Sequence, residues 1–207
     1  IRRYKGVRPI PESSGLAAIA VDGAAAEWAA VPVEYRDTAC DVFHRDYPGY
    51  GGLHYTNDSG RNDIVTCKVA VDDANIYFLA ETNAPLTPHT DPNWMLLLID
   101  ADKNSATGWY GYDLLINQKI VDGTTTTIQR YAPETGWTDV GGVHYAYSGK
   151  ALEVAVPRVL LGLEGDAFAF DFHWCDNPAD LKDPISLCVN GDSAPNRRFN
   201  YRYIWTK

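Results

Sequence analysis

Short apolar runs separated by polar turn clusters recur along most of this chain, and within the runs the hydrophobic period is two. That spacing predicts strands over residues 31–35, 64–71, 76–81, 94–99, 112–117, 124–131, 143–147, 152–156, 167–174 and 199–205. Asp72-Asp73-Ala74-Asn75 and Ser148-Gly149-Lys150 have the composition of tight turns between neighbouring strands. The run 94–99 is apolar at every position, which predicts a central strand covered on both faces. Helical signals are confined to the alanines around Trp28 and to residues 157–163. The expected fold is therefore all-β, an antiparallel two-sheet β-sandwich of jelly-roll or immunoglobulin-like type with very little helix. Residues 1–15, rich in Arg and Pro, read as a linker or extended arm, and residues 16–207 as one domain. Residues 37–62 read as a long polar, glycine-rich loop, a length that is uncommon in a compact domain without a functional or stabilising reason.

Composition narrows the partners. At 207 residues and 45% hydrophobic content the chain can bury a substantial core, and its 13 Tyr and 6 Trp are a surplus of rings. A net charge of −9 argues against nucleic acid and against an anionic membrane surface, since neither is met by clustered Lys and Arg. No apolar stretch approaches the roughly 20 residues needed to span a bilayer. The opening Ile1-Arg2-Arg3-Tyr4, without Met, reads as a processed or excised start. Cys40, Cys67, Cys175 and Cys188 form no Cys-x-x-Cys pair, which disfavours a zinc knuckle or a redox pair. Cys175 and Cys188 flank a loop that a bridge could close in an oxidising compartment, while Cys67, on an expected strand, reads as a buried free thiol.

The most suggestive chemistry follows the 94–99 run. Asp100, Asp102 and Asn104 alternate as a loop does when it aims successive oxygens at a hard cation, with Asp113 available to complete the set. Ser105 and Gly111 stand where an EF-hand would need its turn glycine and its closing Glu, so that motif is excluded. The competing reading is a turn in which Asp and Asn cap their own backbone amides. No Gly-x-Ser-x-Gly, His-Glu-x-x-His or phosphate loop is present, and no two acids are marked as a catalytic pair, so the domain is expected to be non-catalytic.

Val21-Asp22-Gly23 with Glu27-Trp28, Val69-Ala70-Val71-Asp72, Leu98-Ile99-Asp100 with Thr107-Gly108, Leu152 to Pro157, and Phe170 to Asn177 together resemble the family 9 carbohydrate-binding modules, β-sandwiches of the DOMON-like group. The likeness is dispersed over residues 17–205. It implies a secreted location (extracellular, periplasmic or cell-surface), bound calcium, and attachment to a glycoside hydrolase of the same parent chain. The family's aromatic sandwich is not carried over, because Trp94 is out of register with it and the tract before Trp205 matches loosely.

With that resemblance, the candidate carbohydrate contacts are Trp109, Tyr110 and Tyr112 after the acidic loop, and Trp174, His173, Asp176 and Asn177 at a strand end. Arg197, with Asp192 and Arg198 in the last loop, adds groups able to bond sugar hydroxyls. Rings would lie on the apolar face of a pyranose while polar groups read its hydroxyls. The partners this implies are a polysaccharide or oligosaccharide and the attached catalytic domain. A structural appendage that binds no sugar is the alternative. A haem domain using Met95 and His173 is a further one.

Overall fold

The computed structural model describes residues 10–207 and is all-β. Fourteen strands form, in chain order β1 (Glu12–Ser14), β2 (Glu34–Arg36), β3 (Arg45–Pro48), β4 (His54–Asn57), β5 (Ile64–Val71), β6 (Asn75–Thr82), β7 (Leu96–Asp100), β8 (Leu114–Ile120), β9 (Thr125–Ala132), β10 (Gly136–Ser148), β11 (Ala151–Pro157), β12 (Ala167–Asp176), β13 (Asp192–Ala194) and β14 (Tyr201–Thr206). Among the described residues one short α-helix, α1 (Arg158–Leu161), and three 3-10 turns complete the elements.

The strands do not separate into two hydrogen-bonded sheets. A single path of eleven strands runs β1-β14-β12-β7-β8-β9-β10-β11-β6-β5-β2, with β13 added against β12 and β3–β4 forming a small hairpin of its own. Strand β10 makes this continuity: its first part pairs with β9 and its last residues, from His144, pair with β11. A register shift between Asp139 and Gly141 bends the strand on the way. The sheet therefore curls until its two ends meet. Phe78 of β6 lies 5.8 Å from Phe170 and 6.0 Å from Phe172 of β12, and Tyr35 of β2 donates to the Arg202 carbonyl of β14 at 2.8 Å.

Alternation explains the layers. Inward residues Val69, Val71, Phe78, Leu97, Ile99, Ile116, Val154, Phe170, Phe172, Trp174, Tyr203 and Trp205 make the main core. Outward residues are covered in two places. Over β5, β6 and β11, the segment before β2 lays Ile19, Trp28 and Val31 on Ala70, Tyr77 and Leu79. It is pinned by Glu153, fully buried, whose carboxylate accepts from Asp22 N, Gly23 N and Trp28 Nε1 at 3.0, 2.6 and 2.7 Å. Over β7, β8 and β12, Trp109, Tyr112 and Leu187 cover Leu96, Leu98, Leu115 and Cys175. Both faces of β7 are thus buried, as its uninterrupted apolar run predicts.

Of the N-terminal arm, residues 1–9 lie outside the described residues, while Glu12–Ser14 add a parallel strand to β14. The expected 37–62 loop contains the β3–β4 hairpin, which its short, glycine-separated halves concealed. All four cysteines are free thiols, Cys175 and Cys188 included. Among the described residues no helix is long and apolar enough to cross a membrane.

Candidate functional site

The chain leaves β7 at Asp100 and returns to β8 through a tight turn closed by Trp109 and Tyr112, which exchange backbone hydrogen bonds of 2.7 and 3.1 Å. Tyr110 and Gly111 at its tip have φ of 52° and 103°, the positive-φ pair of a two-residue hairpin turn. The turn sends alternate rings in opposite directions. Trp109 and Tyr112 point down onto β7 and β8, where they are 5% and 6% exposed, and Trp109 packs on Trp137 at 6.1 Å. Tyr110 points out and is 65% exposed.

Opposite Tyr110 runs the segment between β13 and β14. Phe199 is 68% exposed, and Arg197, Arg198 and Asn200 are exposed beside it. The two segments enclose a cleft of about 610 Å³ floored by Tyr112, Leu187 and Pro184, with Asp100 and Ser105 along one wall. Its aromatic rim rests on buried anchors. Tyr112 Oη donates to Asn200 Oδ1 at 2.7 Å, and His173 Nδ1–H donates to the Phe199 carbonyl at 2.9 Å. Because a carbonyl only accepts, that contact fixes the neutral tautomer and leaves Nε2 without a partner. Burial pulls the His173 pKa down from 6.5 to about 4. A second cleft, about 470 Å³ between the N-terminal cover and β5, is lined by small and aliphatic groups such as Ala17, Ile19 and Val69 and presents no exposed ring.

The structure redistributes the expected sugar contacts. Tyr110 and Arg197 line the cleft. Trp109 does not offer a face to solvent, because the turn directs it onto the sheet, and Tyr112 reaches the cleft only as part of its floor. Trp174 is a correction as well: it falls on the inward register of β12 with Phe170 and Phe172 and is fully buried. His173 is fully buried on the outward register and serves as a prop for Phe199. Asp176 is also fully buried and is bonded by Arg61 Nε at 2.7 Å, Asn62 Nδ2 at 3.0 Å and Met95 N at 3.0 Å. Burial raises its pKa and Arg61 opposes that shift. Asn177, at φ 56°, turns the chain and donates its N–H to the Asn93 carbonyl. Asp176 is thus sealed from solvent, and Asn177, half-buried, lies outside the lining of the cleft. Asp192, another candidate, is buried away from solvent. Arg198 joins Arg197 at the rim, as expected, and Phe199 and Asn200 are the rim groups that the expected strand 199–205 hid. The strand begins only at Tyr201, so Phe199 escapes the alternation.

In the acidic loop, carboxylate oxygens of Asp100, Asp102 and Asp113 come within 4.8 Å of one another. Asn104 Oδ1, in the same loop, accepts from Ala106 N at 3.1 Å. The loop also bonds to itself: Asp102 accepts from Asn104 N and Thr107 Oγ1, Asp100 from Asn104 N, and Asp113 from Ala101 N. Burial, with repulsion from Asp113 and Asp171, pushes Asp100 up to about 6, and burial raises Asp113 too. Met95 lies in the main core while His173 stands on the opposite face of β12, so the two do not converge on one haem iron.

No protein-family model matches the chain, and neither curated proteins nor solved structures give a match.

Proposed function

We propose that this chain is a non-catalytic carbohydrate-binding domain of β-sandwich type, the two halves of its curled sheet acting as the layers, and that its ligand lies in the cleft between Tyr110 and Phe199. The observation that carries this reading is the pairing of two exposed rings with Arg197, Arg198 and Asn200 around one cleft. Rings left in water at such a rim are suited to the C–H face of a pyranose, and guanidinium and amide groups to its hydroxyls. The buried props under Phe199 and Asn200 reduce the ordering that binding would otherwise demand. Asp100, Asp102 and Asp113 would hold a calcium ion that braces the loop beneath Tyr110. In this reading the domain is secreted and joined to a glycoside hydrolase of the same parent chain, which it keeps near its polysaccharide by tethering.

Calorimetric titration against a panel of neutral and uronic-acid oligosaccharides tests the proposal. Each of Tyr110→Ala and Phe199→Ala removes a ring worth about 1.5 kcal/mol, so affinity should fall about tenfold for each. Both variants should keep the wild-type fold, since the rings are exposed. Silence across the panel, or unchanged affinity in the double variant, would leave a structural appendage as the better account.

A further inference from the structure

A second group of carboxylates gathers away from the cleft loop. Asp41 follows β2, Asp63 immediately precedes β5, and Asp192 opens β13. One carboxylate oxygen from each lies within 4.8 Å of the others. Asp63 and Asp192 are only 5% and 1% exposed.

What separates this group from the Asp100 loop is unmet demand. Each carboxylate is held by one oxygen and left bare at the other. Asp63 Oδ2 accepts from Cys40 N at 2.8 Å, Asp192 Oδ2 from Ile64 N at 2.6 Å, and Asp41 Oδ2 from Asn196 Nδ2 at 2.6 Å. Asp41 Oδ1, Asp63 Oδ1 and Asp192 Oδ1 are enclosed with no hydrogen-bond partner. The same is true of Oδ2 of Asp37, whose other oxygen shares the Asn196 amide at 2.8 Å. Among the described residues no ion pair involves any of these four acids. Arg45, although buried close by, donates to the carbonyls of Asp41, Cys188 and Gly191.

Carboxylates crowded together out of water, each with one oxygen bare and with no counter-charge, are strongly unfavourable unless a cation or a proton neutralises them. The donors are all oxygen, which selects a hard cation. Their origin on three separate segments suits the adaptable shell of calcium better than the strict octahedron of magnesium. We propose that Asp41, Asp63 and Asp192 bind a calcium ion, with Asp37 as a further oxygen donor, and that the ion fastens the 37–62 segment with its β3–β4 hairpin to the ends of β5 and β13. Asn196, which bonds both Asp37 and Asp41, carries the same bracing into the segment that continues to Arg197 and Phe199. The site is independent of the carbohydrate reading.

The experiment uses the whole chain, stripped with chelator and refilled with calcium, with melting followed by circular dichroism and terbium luminescence as a direct probe. It is done in an Asp102→Asn background, which removes the contribution of the other acidic group. In that background calcium should raise the melting temperature and terbium should be sensitised by nearby rings. Adding Asp192→Asn should abolish both responses, and in chelator the doubly substituted chain should melt no lower than its parent, because an isosteric amide relieves repulsion and keeps an oxygen for the Ile64 N–H. Where Asp192→Asn fails to fold, the half-buried Asp41→Asn takes its place. Three results overturn the site: no calcium response in the Asp102→Asn protein, a response that persists undiminished in the added variant, or a variant destabilised equally with and without calcium.

Discussion

Acidification should weaken this protein through His173, and the size of the effect follows from where the ring sits. In the folded state His173 donates through Nδ1 to the Phe199 carbonyl, while Nε2 faces an enclosed space without a partner. Protonation at Nε2 would bury both a charge and an unbonded N–H, which is why the folded pKa falls from 6.5 to about 4. The unfolded chain takes up the proton near 6.5, so between these values it binds more protons than the native state. The stabilising contribution of the neutral ring is therefore complete above pH 6.5 and is lost as the pH falls toward about 4. At about 1.4 kcal/mol per pKa unit, the loss between pH 7.5 and pH 4.5 is roughly 2.5 kcal/mol. Other groups act with the opposite sign. Asp37 and Asp100, each raised to about 6 by burial, favour the folded state as the pH drops below that value. The assay is therefore a difference: urea unfolding of wild type and His173→Phe at both pH values, which cancels the carboxylates. Wild type should lose roughly 2.5 kcal/mol more than the variant over that interval. Parallel pH profiles for the two proteins, or a His173 ring found protonated by NMR at pH 5, would refute the reasoning.

Two further outcomes follow from burial. Trp174→Ala should cost about 3–5 kcal/mol in chemical denaturation, because it empties a site in the main core, and any change in ligand affinity should follow only from unfolding. Glu153→Ala strands three N–H donors at once and should cost about 3 kcal/mol or more, with hydrogen exchange rising first in residues 16–33.

The class of the fold was legible in the period-two pattern. The strand over 64–71 was readable to the residue, and the all-apolar run before Asp100 announced a strand with two covered faces, because β-branched and aliphatic runs of that length have few other stable fates. The hairpin at 45–57 was not readable. Its four-residue strands carry polar side chains and owe their place to Arg45 and to the Thr56 contact with Val189, both remote in sequence. The cleft was half legible. The aromatic cluster at 109–112 stood out, but composition is silent on which ring faces water.

Local alternation, turn chemistry and burial preference are properties of neighbouring residues, and they decided on their own that this chain is β and that the run before Asp100 is dry on both faces. Direction and convergence belong to the tertiary structure. Only the turn at Tyr110 and Gly111 decides that one ring emerges while its neighbours are sealed, and only the curl of the sheet brings β13 beside the start of β5. Asp41, Asp63 and Asp192 meet because three distant segments close on one point, and the repulsion they must overcome there is invisible until they are side by side.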